Sequence, residues 1–217
     1  MSDRCIFWFR KDLRLDDNPA LIEATKHEKV IPLFIFDPSL KEYSKIGGAS
    51  LWWLERSLIS INKQLNGKLR ILFGHSYNLI FNICNEKNIK FVYWNRCYEP
   101  DRIKVDTQIK AKLIDNNIKA ESFNASLLWE PWNIKNKSGN FYKVFTPFYN
   151  RGCLEADKPR TPLEAVKKNN FIKLERKLTD YKFSYEESKN KWYKKLEKHW
   201  DPSESNALSS FEDFLKN

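Results

Sequence analysis

The chain has 217 residues, 41% hydrophobic and 15% aromatic, enough for one generous domain or a compact domain with an appendage. Lys and Arg (38) outnumber Asp and Glu (28), for a net charge of +10, and no apolar run reaches the ~18 residues of a membrane span. Cys5, Cys84, Cys97 and Cys153 are scattered without a C-x-x-C pair, and the only histidines are His27, His75 and His199. That argues for reduced thiols in a cytoplasmic protein and against a His-based metal site. No secretory signal is expected, because Met1–Arg4 leads directly into a strand-like run. The lysine excess fits a nucleic-acid partner through counterion release. A composition bias, with Lys, Asn and Ile abundant together, accounts for it equally well.

In chain order, Cys5–Arg10 reads as the first strand. Asn18-Pro19 opens a helix expected to run to about His27, with Asn as N-cap and Pro at the first helical position. Val30–Phe36 is almost continuously apolar and predicts a strand buried on both faces. Leu51, Leu54, Leu58, Ile61 and Leu65 recur at three- and four-residue steps and predict a helix over Ala49–Leu65, with Gly67 just past its end. Leu69–Phe73 is the third strand, and Tyr77–Asn88 a helix with Leu79, Ile80 and Ile83 inward. Phe91–Trp94 is the fourth strand. Asp101–Asn116 is a charged helix whose apolar side is read as Ile103, Ile109, Leu113 and Ile114, and Ile118–Phe123 is the fifth strand.

Strands alternating with helices imply crossover connections, hence an α/β fold with a doubly wound, five-stranded parallel sheet of the Rossmann-like kind over residues 1–123. A connector is expected over 124–162, where Trp129, Trp132 and several prolines need somewhere to pack. Residues 163–217 are lysine-rich and helix-compatible; with Trp192, Trp200, Phe211 and Phe214 but little else to bury, this tail calls for a partner surface.

Five segments resemble the photolyase/cryptochrome family in the same order: WFRKDLRLDDNPAL (Trp8–Leu21), GGASLWWL (Gly47–Leu54), VYWNRCYEP (Val92–Pro100), YKVFTPF (Tyr142–Phe148), and WDPSE with Phe211, Phe214 and Leu215 (from Trp200). The resemblance implies an N-terminal α/β domain followed by a connector and the start of a helical FAD-binding domain, at 163–217. It implies the chemistry of a deoxyribodipyrimidine photo-lyase, the light-dependent repair of pyrimidine dimers flipped out of DNA. It also implies an antenna chromophore, a folate such as methenyltetrahydrofolate or a deazaflavin, near the α/β domain. FAD, DNA and a possible separately encoded FAD-domain half are the further partners it implies. The motifs that hold flavin and lesion in the family lie beyond this chain, so the chain is expected to be inactive alone. Many relatives have arginine where this chain has Leu51, which counts against an antenna site built on that side chain.

In a doubly wound sheet, ligands sit beyond the carboxyl ends of the strands where the strand order reverses. For the order 3-2-1-4-5 the crevice falls between the first and fourth strands. The expected cofactor-binding residues are therefore Arg10, Lys11 and Asp12, then Asn95, Arg96, Glu99, Asp101 and Arg102, with Asp37 as one wall. Competing readings exist for several. Asp12, Arg14 and Asp16 read as a surface ion-pair network worth about 0–1 kcal/mol per pair, and Asn18 as a cap. For Glu99 and Asp101, ligand binding and service to a helix dipole stay open side by side. Of Trp52 and Trp53, one is expected in the core and one under the connector. Trp8 and Trp94 read as core. The run KWYKK (Lys191–Lys195) has the basic-aromatic mix of nucleic-acid contacts but reads as a solvated helix face.

No G-x-G-x-x-G, P-loop, G-x-S-x-G elbow or Ser-His-Asp set is present, so no catalytic residue and no metal ligand is assigned. Two rival readings stand beside a photolyase part. One is a standalone cryptochrome-like chromophore- or nucleotide-binding sensor or partner module without catalysis. The other is a nucleotide-binding α/β protein of the electron-transfer-flavoprotein or stress-protein type.

Overall fold

The structure, a computed structural model, describes residues 3–166, 169–175 and 191–216. β1 (Arg4–Phe9), β2 (Lys29–Phe36), β3 (Arg70–Phe73), β4 (Phe91–Asn95) and β5 (Lys119–Phe123) form one sheet in the order β3-β2-β1-β4-β5. Every pairing is parallel, with Trp8 level with Leu33 on one side and Trp94 on the other. The expected doubly wound sheet and its strand order are observed.

Side chains alternate across β1 and seed two cores. Cys5, Phe7 and Phe9 face α1 (Pro19–Ala24) and α3 (Gly48–Gln64). Ile6 and Trp8 face α4 (Ser76–Lys87) and α5 (Pro100–Asp115), meeting Ile80, Ile83, Ile109 and Leu113. Trp8, Trp94 and Trp52 are fully buried, as befits core residues. Each such burial contributes about 1.5–3 kcal/mol, which is why strands this short stay in register.

The helices begin and end within a residue or two of the expected limits, with one exception. α1 stops at Ala24, because the chain turns so that His27 sits between Asp3 (Nδ1 to Oδ1, 2.7 Å) and the Tyr93 hydroxyl (Nε2, 2.9 Å). α3 ends where Asn66 and Gly67 take positive φ, the latter +73°, and Gly67 N reaches back to Asn62 O at 2.8 Å. A short α2 (Lys41–Ser44) precedes α3.

Three local expectations change. Ile103 and Ile114 lie on the exposed side of α5; its buried face is Arg102, Ile109 and Leu113, so the inward stripe carries a cation. Trp53 packs not under the connector but against Trp200 of the tail, ring centroids 5.9 Å apart. And residues 169–175 are extended rather than helical. Ile172 N donates to Val30 O at 2.8 Å and Val30 N to Asn170 O at 3.1 Å, so this segment pairs with the part of β2 that β3 is too short to reach. Phe171 and Leu174 then enter the two cores.

The connector holds a 3-10 turn (Pro131–Asn133) and α6 (Phe145–Pro147), which passes into a π-helical turn (Phe148–Cys153). The tail forms α7 (Tyr193–Glu197) and α8 (Glu204–Lys216). The aromatics of KWYKK point inward: Trp192 and Tyr193 pack on the α3 side of the core. Among the described residues no helix is long and apolar enough to cross a membrane, and no three His, Cys, Asp or Glu side chains converge as metal ligands would.

Candidate chromophore cleft

β1 releases the chain into the loop 10–18, the densest part of the signature. Arg10 N donates to Asp12 Oδ1 at 2.8 Å, and Asp12 Oδ2 accepts from Asn95 Nδ2 at 2.5 Å. Asn18 is the expected cap, accepting from Leu21 N at 3.1 Å, and it also accepts from Asn95 Nδ2 at 2.7 Å and donates to Arg14 O at 2.9 Å. Asn95 Oδ1 accepts from Ala20 N at 3.2 Å. Asp12, Asn18 and Asn95 are all buried. Asp12 is therefore no member of a surface ion-pair network: it is a desolvated carboxylate held by amide donors, the arrangement burial demands. This knot ties the ends of β1 and β4 to the start of α1 at the switch point.

The other half of the loop reaches outward to later segments. Arg14 donates to Ala125 O at 2.5 Å and to Asp16 O and Asp17 O at 3.0 Å, so it binds carbonyls rather than carboxylates. Asp17 pairs with Arg160 at 2.5 Å and accepts from Leu163 N at 3.0 Å. Leu15 N and Asp16 N both donate to the Glu204 carboxylate, at 2.9 Å each by the shorter contact. The signature thus anchors the connector and the tail to the sheet.

Arg10 and Asp106 pair at 2.5 Å across the rim between β1 and α5, with the guanidinium 4.7 Å over the Trp8 ring. Burial opposes the charge on Arg10, but Asp106 outweighs it and holds the guanidinium above its usual range. Arg102, also buried and 5.2 Å over the Tyr43 ring, is pushed down to about 9 by burial and by Arg10 beside it.

The remaining expected site residues have other neighbours. Asp37 fastens β2 to α4: Ser39 N and Oγ reach Oδ1 at 3.0 and 2.6 Å, and Ser76 N and Oγ reach Oδ2 at 2.8 and 2.7 Å. Glu99 pairs with Lys11 at the surface. Asp101 is exposed in the first turn of α5, the dipole position. Arg96 clasps Glu130 of the connector through Nε at 2.7 Å, while the Tyr98 hydroxyl donates to the same carboxylate at 2.7 Å.

A cleft of about 1280 Å³ opens beside the loop, between α3 and the tail. Of the nine expected residues, Arg10 and Lys11 line it. Tyr43, Ser50, Trp53, Leu54, Trp200 and Phe211 also line it and were missed. The repeat in α3 already set Leu54 toward one flank, and a tryptophan left on the other flank was a usable signal. Nothing local placed Trp200. Leu51 is buried in the core and is not among the cleft residues, so the arginine-to-leucine departure falls outside this wall. The lining carries four cations (Arg10, Lys11, Arg14, Lys45) against four carboxylates (Asp16, Asp17, Asp201, Glu204), and its edge-to-face Trp53–Trp200 pair suits a planar ligand.

The family model for DNA photolyase matches residues 5–167. A deoxyribodipyrimidine photo-lyase of Agrobacterium fabrum is 36% identical over 217 residues, 97% of this chain and 44% of that one. A bacterial class III photolyase from Agrobacterium tumefaciens superposes with a TM-score of 0.86 at 32% identity, covering 100% of this chain and 45% of that one. An archaeal photolyase from Sulfolobus tokodaii, solved with two FAD molecules, superposes with a TM-score of 0.60 at 27% identity, covering 79% and 38%. The chain spans less than half the length of each of these relatives. With the signature loop, the strand order and a family match across most of its length in agreement, the chain belongs to the DNA photolyase family.

Proposed function

We propose that this chain is the chromophore-binding α/β part of a deoxyribodipyrimidine photo-lyase, serving light-dependent repair of pyrimidine dimers in DNA. The cleft beside loop 10–18 is its antenna site. The observation that carries this reading is the cleft itself, with an aromatic pair at its wall and the exposed Lys11 and Lys45 among its lining. At about 1280 Å³ it has room for a folate such as methenyltetrahydrofolate or a deazaflavin. Bound there, the antenna supplies light absorption. Trp53 and Trp200 stack or edge against its ring, and the exposed Lys11 and Lys45 meet its anionic groups.

Repair itself needs FAD and a DNA lesion pocket, which belong to a helical half that docks on the connector and tail. Phe145 (71% exposed), Phe214 (75%) and Leu215 (66%) support that docking, being large apolar groups left at the surface. In this reading the 1–123 unit and the tail together line the antenna cleft, 124–162 connects, and the tail also begins the flavin-bearing half.

Absorbance titration of the purified chain with folate and deazaflavin candidates tests the reading. The expected result is a saturable red-shifted band, weakened by Trp53→Ala and unaffected by Asp101→Ala, since Asp101 is exposed away from the cleft. A folded chain that shows no band with any candidate overturns it.

A further inference from the structure

Trp200 stands between two unlike helices: α7 before it is packed on the core through Trp192, Tyr193 and Leu196 and paired to Arg56 through Glu197 at 2.6 Å, whereas α8 after it is held by very little. α8 contributes no residue to either hydrophobic core, and Phe211, Phe214 and Leu215 on it are all more than half exposed. What joins this helix to the sheet is the carboxylate of Glu204, its first residue. Oε1 and Oε2 accept from Leu15 N at 3.1 and 2.9 Å, and Oε1 also accepts from Asp16 N at 2.9 Å. These are consecutive backbone amides of the signature loop, 189 and 188 residues away in sequence. They point together at one anion, and a charged acceptor bound by two backbone N–H groups is among the stronger hydrogen-bonded arrangements a surface can make.

The turn before α8 is built to present that carboxylate. Ser203 Oγ accepts from Asn206 N at 3.2 Å as a helix cap, and Asn206 Nδ2 donates to Asp201 O at 3.1 Å. Residues 201–206 are therefore one rigid turn, and fixing Glu204 fixes Trp200 one residue before it. Trp200 then packs edge-to-face on Trp53, ring centroids 5.9 Å apart, and the two make one wall of the cleft.

We propose that Glu204 is a positioning residue: a latch that docks the tail on the signature loop and completes the antenna cleft, so that ligand binding and tail docking reinforce each other. The link is thermodynamic, because a ligand touching both α3 and the tail favours only the docked state. This inference rests on the cleft being the antenna site, and its test separates the two.

The experiment compares the full wild-type chain with Glu204→Ala, Glu204→Gln and, as a control on the same helix, Glu212→Ala. Amide hydrogen exchange is read at Leu15 and Asp16, trypsin cleavage at Lys194, Lys195 and Lys198, and affinity for methenyltetrahydrofolate by absorbance. The substituted residues, Glu204 and Glu212, belong to neither hydrophobic core, so unchanged thermal unfolding checks that the variants fold. Glu204→Ala is expected to speed exchange and cleavage about tenfold and weaken the chromophore about tenfold. Glu204→Gln, which keeps one acceptor oxygen, is expected to fall between, and Glu212→Ala to match wild type. Exchange and cleavage unchanged in Glu204→Ala overturn the latch. Faster exchange with unaltered affinity overturns its role in the cleft. A wild-type chain that binds no chromophore overturns the antenna reading, and exchange then decides the latch by itself.

Discussion

Arg10, one residue beyond β1, and Asp106, in α5, meet at 2.5 Å although they are 96 residues apart. Their side chains are 1% and 13% exposed, so the pair lies out of water at the crevice where the strand order reverses. Removing one partner of such a pair strands the other charge. Asp106→Ala is expected to cost about 3 kcal/mol, read as the loss of urea stability. The double change Arg10→Met with Asp106→Leu should recover most of it, since a buried pair is replaced without penalty by apolar groups of similar volume.

Asn95 donates to two acceptors, Asp12 and Asn18, and accepts from the first turn of α1. Asn95→Leu leaves the buried Asp12 carboxylate short of a donor. An expected loss of about 2–3 kcal/mol follows for this group, measurable as a shift of the denaturation midpoint without a change of slope.

Burial pushes the Asp37 carboxyl up, but the hydrogen bonds from Ser39 and Ser76 outweigh it and hold its pKa below the usual range. A depressed folded pKa stabilises the fold fully above the unfolded value of about 3.9 and ceases to do so as pH falls through the folded one. Ser76→Ala takes away one donor, so the acid-unfolding midpoint, followed by circular dichroism between pH 2 and 6, should move to higher pH. An unmoved midpoint would show that Ser39 and the Ser76 amide suffice.

Burial raises the thiols of Cys84 and Cys97, to about 12 and about 11, and raises Cys5 further. All three are buried. Their thiolate fraction at pH 8 is therefore small, and reaction with Ellman's reagent in the native chain should be slow at all three positions. In denaturant all four cysteines should react promptly.

Gly48 opens α3 directly under Trp192: a Cβ there would sit 3.0 Å from the indole ring. Gly48→Leu is expected to expel Trp192 and loosen the tail while leaving β1–β5 intact. Tryptophan emission should shift red and tryptic cleavage after Lys191 should quicken, with little change in unfolding temperature.

The sheet was legible because its strands are short apolar runs set between amphipathic helices, and parallel neighbours leave few topologies open. Cys5–Arg10, Val30–Phe36 and Phe91–Trp94 carry that pattern in their own composition, and Asn18-Pro19 announces a cap locally. The order of the sheet then located the crevice between the first and fourth strands. What a periodicity cannot report is which partner a face will meet. Ile103 and Ile114 satisfy a helical stripe yet stay exposed, because the inner face of α5 carries Arg102, a buried cation whose charge burial and Arg10 oppose and Asp106 and Asp37 favour. Asp12 looks like a surface charge until Asn95 arrives from 83 residues away. The sequence by itself determined the α/β class, the strands and the loop that matters. Only the tertiary structure decided that Trp53 and Trp200 share one wall and that Glu204 binds loop 10–18, because such contacts are made between segments whose separation along the chain exceeds any local rule.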